Sequence, residues 1–271
     1  MPAPPKDWIA LTAKLERAEH HIFALREFWG GFIKGGAYPI LSQDAWDGSH
    51  RMYYLGSVAP IPADVPLIVG DAIHNLRSAL DHLAYRLVSV GKQSPGPFKR
   101  IYFPIAKSPI EFEAKIRDLK KCLTPSAVSA LTKVEAFLGG TGEIYWHIHR
   151  LNIIDKHRLL LTVTSQNRLR SMSPGEIAKI RSMFLGVLEN IPEANDPKMF
   201  LKSGIRHLSL ETDHVLDILP ISEVHETMHF PIELAFGESE VNDKPVVEML
   251  QQAATIIRNL FMVFDNSGLL E

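Results

Sequence analysis

Residues 70–88 read Gly70-Asp-Ala-Ile-His-Asn-Leu-Arg-Ser-Ala-Leu-Asp-His-Leu-Ala-Tyr-Arg-Leu-Val88. The apolar side chains of this stretch recur in alternating steps of four and three, at Val69, Ile73, Leu76, Leu80, Leu83 and Leu87. This spacing places them on one side of an α-helix and predicts a helix that packs within a bundle. We therefore expect this helix to be the element around which the rest of the chain is organised.

The other side of the same helix carries polar and titratable side chains: Asp71, His74, Asn75, Ser78, Asp81 and His82. Side chains of these types transfer protons or bind metal ions and phosphate groups. No other predicted helix combines so regular an apolar stripe with so many of them. This polar face is therefore the first place where we expect function.

The composition is that of an ordinary globular protein. The chain has 271 residues, of which 46% are hydrophobic and 22% are charged, and this length can bury a substantial core. A formal net charge of -2 lacks the positive field of a general nucleic-acid scaffold. The single cysteine, Cys122, excludes an intramolecular disulfide. Because neither a secretory signal nor a run of about 20 apolar residues is present, we expect a cytoplasmic protein without membrane association.

Three further segments show the same spacing of apolar residues, beginning near Trp8, after Gly142 and near Val246. Together with the central helix they predict an antiparallel bundle in which the first and last helices are neighbours. Ser-Pro or Thr-Pro pairs open helices, and they predict three shorter ones at residues 108–123, 124–138 and 173–190.

Segments rich in β-branched and aromatic residues, or alternating with period two, predict strands at 50–59, 100–105, 160–164, 205–219 and 223–236. The triplet Pro220-Ile221-Ser222 predicts a hairpin between the last two. The expected fold class is α+β and mainly α: an antiparallel helical bundle with an inserted or adjacent antiparallel sheet. We expect one domain over 1–271, with β insertions at about 40–66, 98–106 and 160–236.

Arg77, followed after four residues by His82, resembles the arginine-histidine motif of HEPN domains. These are helical bundles found in RNases of toxin-antitoxin, abortive-infection and other defence systems. The stretch 70–82 and the run Asp155-Lys-His-Arg158 are also similar to those of uncharacterised bacterial proteins with this architecture. In the family, two subunits bring the motif together across a dimer cleft, and no metal takes part.

The resemblance implies a role for each residue of the motif. Arg77 would hold the scissile phosphate, and His82 would assist the attack of the ribose 2′-hydroxyl. Both side chains suit these tasks, because guanidinium matches phosphate oxygens and imidazole titrates near neutrality. The resemblance further implies a homodimer that acts on RNA, has no cofactor and is paired with an antitoxin-like partner protein.

Other polar residues would surround this pair. On the third predicted helix, His149, Asn152 and Lys156 recur in steps of three and four, so they form one face that can meet Asp71 and His74. The substrate contacts expected are His74, Asn75, Ser78, Lys156 and Arg158. The supporting residues expected are Asp71, Asp81, Asp155 and His157.

Two alternatives remain open for the same residues. In the first, Arg77 and Asp81 form an ordinary ion pair on a helix surface, and the polar residues His74, Asn75, Ser78 and His82 point away from the core into solvent. The protein would then be a non-catalytic interaction or structural protein of the same fold.

The second alternative is a metal-dependent enzyme, in which Asp71 and His74 would meet Asp155 and His157. The paired Glu-x-x-His signatures of diiron bundles are absent from the sequence, and no cysteine cluster suggests zinc. A His-Glu-x-x-His motif, a phosphate-binding loop, a Gly-x-Ser-x-Gly elbow and a Rossmann glycine fingerprint are also absent. The commonest hydrolases, nucleotidases and dehydrogenases are thereby excluded.

Overall fold

A computed structural model describes residues 6–91, 101–157, 163–166, 215–224, 230–238, 241 and 244–270. The helix predicted at 173–190 lies outside these residues. The described helices are α1 (Lys6–Lys34), α2 (Asp64–Val90), α3 (Pro109–Leu119), α4 (Pro125–Thr132), α5 (Glu143–His157) and α6 (Val246–Asn266). The described strands are β1 (Ile40–Asp44), β2 (His50–Leu55), β3 (Val163–Gln166), β4 (Val215–Pro220) and β5 (Glu233–Phe236). The chain is therefore mainly helical with antiparallel strands, and the predicted fold class is confirmed.

Helix α2 lies at the centre of the bundle, where it contacts α1, α5 and α6. The six residues of its apolar stripe are all buried, and none is more than 1% exposed. Burial of each such side chain contributes roughly 1.5 to 3 kcal/mol relative to exposure. The stretch that predicted the bundle therefore supplies the centre of its core.

The first and last helices are neighbours, as predicted. Arg258 of α6 donates two hydrogen bonds to the carboxylate of Glu19 on α1, from Nη2 at 2.6 Å and from Nε at 3.1 Å. Helix α1 continues through Gly30 and Gly31 and ends at Lys34. The two ends of the described chain are thus held together by a bidentate ion pair as well as by apolar packing.

The short helices α3 and α4 begin where the sequence predicts. The Ser108 hydroxyl accepts a hydrogen bond from the amide of Glu111, and the Thr124 hydroxyl accepts one from the amide of Ala127. Proline stands at the first helical position of each, where no amide hydrogen is needed. Both helices end earlier than predicted, α4 because the chain turns sharply at Glu135, which has a positive φ of 47°.

The predicted hairpin between the last two strands is wrong. Strand β4 pairs with β2 in a three-stranded sheet of order β1-β2-β4, whereas β5 pairs with β3 in a separate two-stranded sheet. A 3-10 turn follows β4, and the amide of Ile221 there donates to the carbonyl oxygen of Ser49 beside β2. Neighbouring segments in the sequence therefore belong to different sheets, because pairing is chosen by packing rather than by proximity along the chain.

The strand predicted at 100–105 is also wrong for its described part, since residues 101–105 form no strand. Its central amide, that of Phe103, donates instead to the side chain of Asp81 at 2.9 Å. The Phe103 amide, which would donate to a neighbouring strand in a sheet, is thus bonded to the polar face of α2. None of the described helices is both long enough and apolar enough to cross a bilayer.

Candidate functional site

A line of polar side chains runs along the contact between α2 and α5, and we name it the α2–α5 seam. Its members are Asp71, His74, Arg77 and Asp81 on α2 and His149, Asn152, Asp155 and Lys156 on α5. The two helices run antiparallel, because Arg77 bonds to His149 whereas Gly70 lies against Asp155. The polar face of α5 thus lies against α2, but His149 bonds to Arg77, and it is Asp155, outside the predicted face, that interacts with Asp71 and His74.

Arg77 is at the centre of a buried hydrogen-bond network. Its side chain is only 7% exposed; Nε donates to Nδ1 of His149 at 3.1 Å, and Nη1 donates to the carboxylate of Asp81. The same Asp81 oxygen accepts the amide of Phe103. The ion pair expected from the spacing of four is present, but it is not a surface pair. Arg77 therefore links α2, α5 and the segment that precedes α3.

His149 lies in a positive electrostatic environment. The pKa of its imidazole is lowered to about 4, chiefly by burial and then by the positive charges of Arg77, Lys115, Lys156 and Arg150, in that order. The ring is therefore neutral at pH 7. Because its Nδ1 accepts from Arg77, the neutral ring carries its proton on Nε2, and this donor bonds to none of the described residues.

The other end of the seam is acidic. Asp155 lies directly over Gly70, where a Cβ atom would come within 2.5 Å of its Oδ1. Partial burial, followed by the negative charge of Asp71, raises the pKa of the Asp155 carboxyl, whereas His74 and Lys156 lower it. Gly70 is thus the residue that allows this carboxylate to reach α2.

The two residues of the predicted arginine-histidine motif are not brought together within one chain. A separation of five residues turns a helix by about 140°. Arg77 is buried against α5, whereas His82 is exposed. Their predicted roles in phosphate binding and proton transfer stay predictions.

The alternative that places all the polar residues of α2 in solvent is wrong for Asn75. This side chain is buried, and its Nδ2 donates to the carbonyl oxygen of Asp71 at 2.8 Å. Three helices cover α2, so a wider part of its surface is buried than the apolar stripe indicates. His74 and His82 are exposed and Ser78 is half-buried, so these three remain accessible to a ligand.

His149 is the site residue that sequence reasoning left without a role. The signal was present, since it shares one helical face with Asn152 and Lys156, but nothing in the spacing shows that Arg77 bonds to it. Asn152 is buried, and its Oδ1 accepts no hydrogen bond from the part of the chain that is described. The side chains of His157 and Arg158 lie outside the described residues.

Within the described part of the chain, no group of three or more His, Cys, Asp or Glu side chains is placed to hold a metal ion. Asp71, His74 and Asp155 interact electrostatically without forming such a group. The fourth residue of the metal hypothesis, His157, has no described side chain. Nothing in the described geometry therefore favours metal over proton transfer.

No protein-family model, no curated protein and no solved structure matches this chain.

Proposed function

We propose that this protein binds RNA along the α2–α5 seam and cleaves it without a metal ion, as a HEPN-like endoribonuclease of a bacterial defence or toxin-antitoxin system. A cytoplasmic homodimer and an antitoxin-like partner are part of this proposal. The observation that carries it is the positive environment of His149. In a chain of net charge -2, that environment is a local feature suited to an anion.

The cationic end of the seam supplies what a phosphate group needs. The imidazole of His149, next to Arg77, offers its Nε2 proton as a donor, and Lys156, exposed seven residues farther along α5, adds a cation toward the other end of the seam. A phosphate oxygen bound there would gain charge-assisted hydrogen bonds from groups that are already positioned. Arg77 then acts as a positioning residue, because its bond to Nδ1 fixes the tautomer of His149.

The acidic end supplies groups for proton transfer. Cleavage of RNA by its own 2′-hydroxyl requires a base to remove one proton and an acid to supply one to the leaving oxygen. His74 is exposed beside Asp155, so its imidazole can exchange protons with a substrate while the carboxylate orients it. Six residues of helix separate Asp155 from His149, which corresponds to about 9 Å.

The exposed imidazole of His82 belongs to the same proposal through the dimer. Since it lies on a different side of α2 from Arg77, it would approach a seam only from a second subunit. This is the arrangement that the resemblance to HEPN domains implies.

A second candidate is a non-catalytic interaction protein of the same fold. The observation that favours it is the enclosure of Arg77, whose charge is balanced by Asp81 and whose Nε and Nη1 are both occupied. In this alternative the network only stabilises the bundle, and the exposed polar rim binds a partner.

The test is cleavage of a mixed-sequence RNA by the purified full-length protein with EDTA present. We expect chelator-resistant cleavage by the wild type, reduced about 100-fold or more in His74→Gln and His82→Ala, because each removes a proton-transfer group. His50→Gln is the matched control, since His50 lies on β2 outside the seam. Circular dichroism confirms that each variant is folded.

Binding is measured separately, by fluorescence anisotropy of a labelled RNA with wild type and Lys156→Gln. If the wild type binds RNA, Lys156→Gln weakens this binding and no cleavage is observed, the second candidate is correct and the protein is a non-catalytic RNA-binding protein. A folded wild type that neither binds nor cleaves RNA would overturn the RNA proposal altogether.

A further inference from the structure

A second concave surface lies between α4 and α6, and we name it the α4–α6 groove. Its volume is about 600 Å³, within the range of small-molecule sites. The residues that decide its chemistry are Ser129, Lys133, Tyr145, Leu260, Val263 and Phe264. None of the described residues that line it belongs to the α2–α5 seam, so the groove is a separate feature.

One wall of the groove is apolar and accessible. It is formed by α6, where Val263 is 60% exposed and Leu260 is half-buried, whereas Phe264, one turn after Leu260, is only 1% exposed. Single exposed apolar side chains are common on protein surfaces. Val263, however, lines a cavity whose surface is extended by other apolar side chains. The wall therefore suits an aliphatic chain.

The opposite wall, which we call the polar wall, combines two apolar residues of the α4 segment, Ala130 and Val134, with polar side chains and a single kind of charge. Ser126, Ser129 and Thr141 line it, and Lys133 is the one ionisable side chain of permanent charge among the described lining residues. Lys133 is exposed at the end of α4. No described lining residue is acidic, so the charge of the groove is complementary to an anion.

Tyr145 also lines the groove and adds a neutral donor to it. Burial raises the pKa of its hydroxyl, which therefore keeps its proton at neutral pH. The hydroxyl makes no hydrogen bond with the described part of the chain. Gly142 brings the backbone close to the tyrosine ring, since a Cβ there would lie 2.9 Å from ring atom Cδ2.

The turn that carries Thr141 and Gly142 is firmly built. The carbonyl oxygen of Glu135, a residue in the left-handed region, accepts the amides of Phe137 at 2.8 Å and Gly142 at 3.2 Å. A Cβ at Gly140 would lie 2.3 Å from the same oxygen. The polar wall is thus preformed, which reduces the entropy lost when a ligand binds.

We propose that the α4–α6 groove binds a medium-chain aliphatic carboxylate. Its chain, of about ten carbons for a site of this size, lies against Leu260 and Val263. Its carboxylate accepts a charge-assisted hydrogen bond from Lys133 and a hydrogen bond from the Tyr145 hydroxyl. This assignment is independent of the RNA proposal, because the two use different residues.

The test uses sodium decanoate as the probe and the purified full-length protein, with binding measured by isothermal titration calorimetry. We expect saturable binding of one decanoate per chain, weakened about tenfold in Lys133→Gln because one charge-assisted bond is lost. Ser129→Trp fills the groove from the exposed face of α4 and should abolish binding. Lys120→Gln is the matched control, an exposed lysine outside the groove.

Decyltrimethylammonium has a similar chain and the opposite charge, so it should bind more weakly than decanoate. The proposal would be overturned if the two probes bound equally well. It would also be overturned if decanoate bound equally to wild type and Lys133→Gln, or bound undiminished to a folded Ser129→Trp. Sedimentation of the same samples tests the competing occupant: a wild-type dimer that Ser129→Trp converts to monomer would make the groove a subunit interface and overturn the ligand assignment.

Discussion

The α2–α5 seam and the α4–α6 groove share helix α5 but are built in different ways. In the seam, the buried charge of Arg77 is held by the carboxylate of Asp81 and by the neutral imidazole of His149. In the groove, apolar side chains and a tight turn form the walls, and Lys133, which carries the one permanent charge among the described lining residues, is exposed. The stability of the seam therefore depends on the ionisation of its members, whereas the shape of the groove does not depend on ionisation.

The strongest test of this comparison is to remove the charge at the centre of the seam. Arg77→Ala should lower the free energy of unfolding by about 2 to 3 kcal/mol, because it leaves the Asp81 carboxylate without its partner. This is below the full cost for a fully buried pair, since Asp81 retains some contact with water. Urea unfolding measures the change.

Arg26→Ala is the control for that experiment. Arg26 is exposed and lies 3.5 Å from the carboxylate of Glu27, so its loss should change the stability by less than about 1 kcal/mol. If Arg77→Ala were no more destabilising than this control, the seam would not be held by its charges and the comparison would fail.

Acidification should distinguish the two regions next. The folded pKa of His149 is about 4, below the value of 6.5 that it has when unfolded, so the unfolded chain binds the proton more readily. Stability is therefore fully present above pH 6.5 and is lost as the pH falls toward 4, by about 2 kcal/mol after allowance for partial exposure.

Urea titrations of wild type and His149→Gln between pH 7 and pH 4 isolate this contribution. Glutamine retains an acceptor for Arg77 but does not titrate, so the variant should lose less stability over this range. His21 and His147 have pKa values lowered in the same direction and remain in both proteins. The raised pKa of Asp155 acts in the opposite sense, because its protonation favours the folded state. Equal pH dependence of the two proteins would contradict the prediction.

The smallest effect expected is on the free energy of unfolding when each of two glycines is replaced by alanine. The two substitutions should change it in opposite directions. Gly70→Ala should destabilise by about 1 kcal/mol, because the clash with Asp155 exceeds the gain in helix propensity. Gly30→Ala, in α1 with nothing within 4 Å, should stabilise by roughly 0.5 to 1 kcal/mol. Thermal unfolding measures both.

A double-mutant cycle with Asp155→Ala tests the cause. The loss of stability caused by Gly70→Ala should disappear when the carboxylate is absent. The coupling energy is then opposite in sign to the stability change of the single Gly70→Ala variant. Additive effects would show that Asp155 does not press on Gly70, and the acidic end of the seam would have to be described differently.

Prediction from the sequence succeeded where the signal was local and repeated. The apolar stripe from Val69 to Leu87 predicts the buried side of α2, since periodicity reports directly on which face is covered. Capping pairs gave the starts of α3 and α4, because the bonds that begin a helix join residues three apart. The assignment of residues 1–271 to one domain stays a prediction.

Prediction failed where the partner is distant. Strand β4 pairs with β2 across more than 160 positions of sequence, and no local pattern distinguishes that pairing from the predicted hairpin. The alternative that placed Asn75 in solvent is wrong because its own helix gives no sign of how many neighbours cover it. Both errors come from contacts whose two sides are far apart in the chain.

In the candidate site too, local features could be predicted from the sequence and long-range contacts could not. The amino-acid sequence by itself determined that α2 and α5 each present a polar face, because residue type and helical period are properties of a single segment. Only the tertiary structure decided that Arg77 bonds to His149, that Asp155 rests on Gly70 and that His82 stays exposed. The pKa of a buried group is set by the charges and the low-dielectric surroundings that other segments bring to it, and these exist only once the chain has packed.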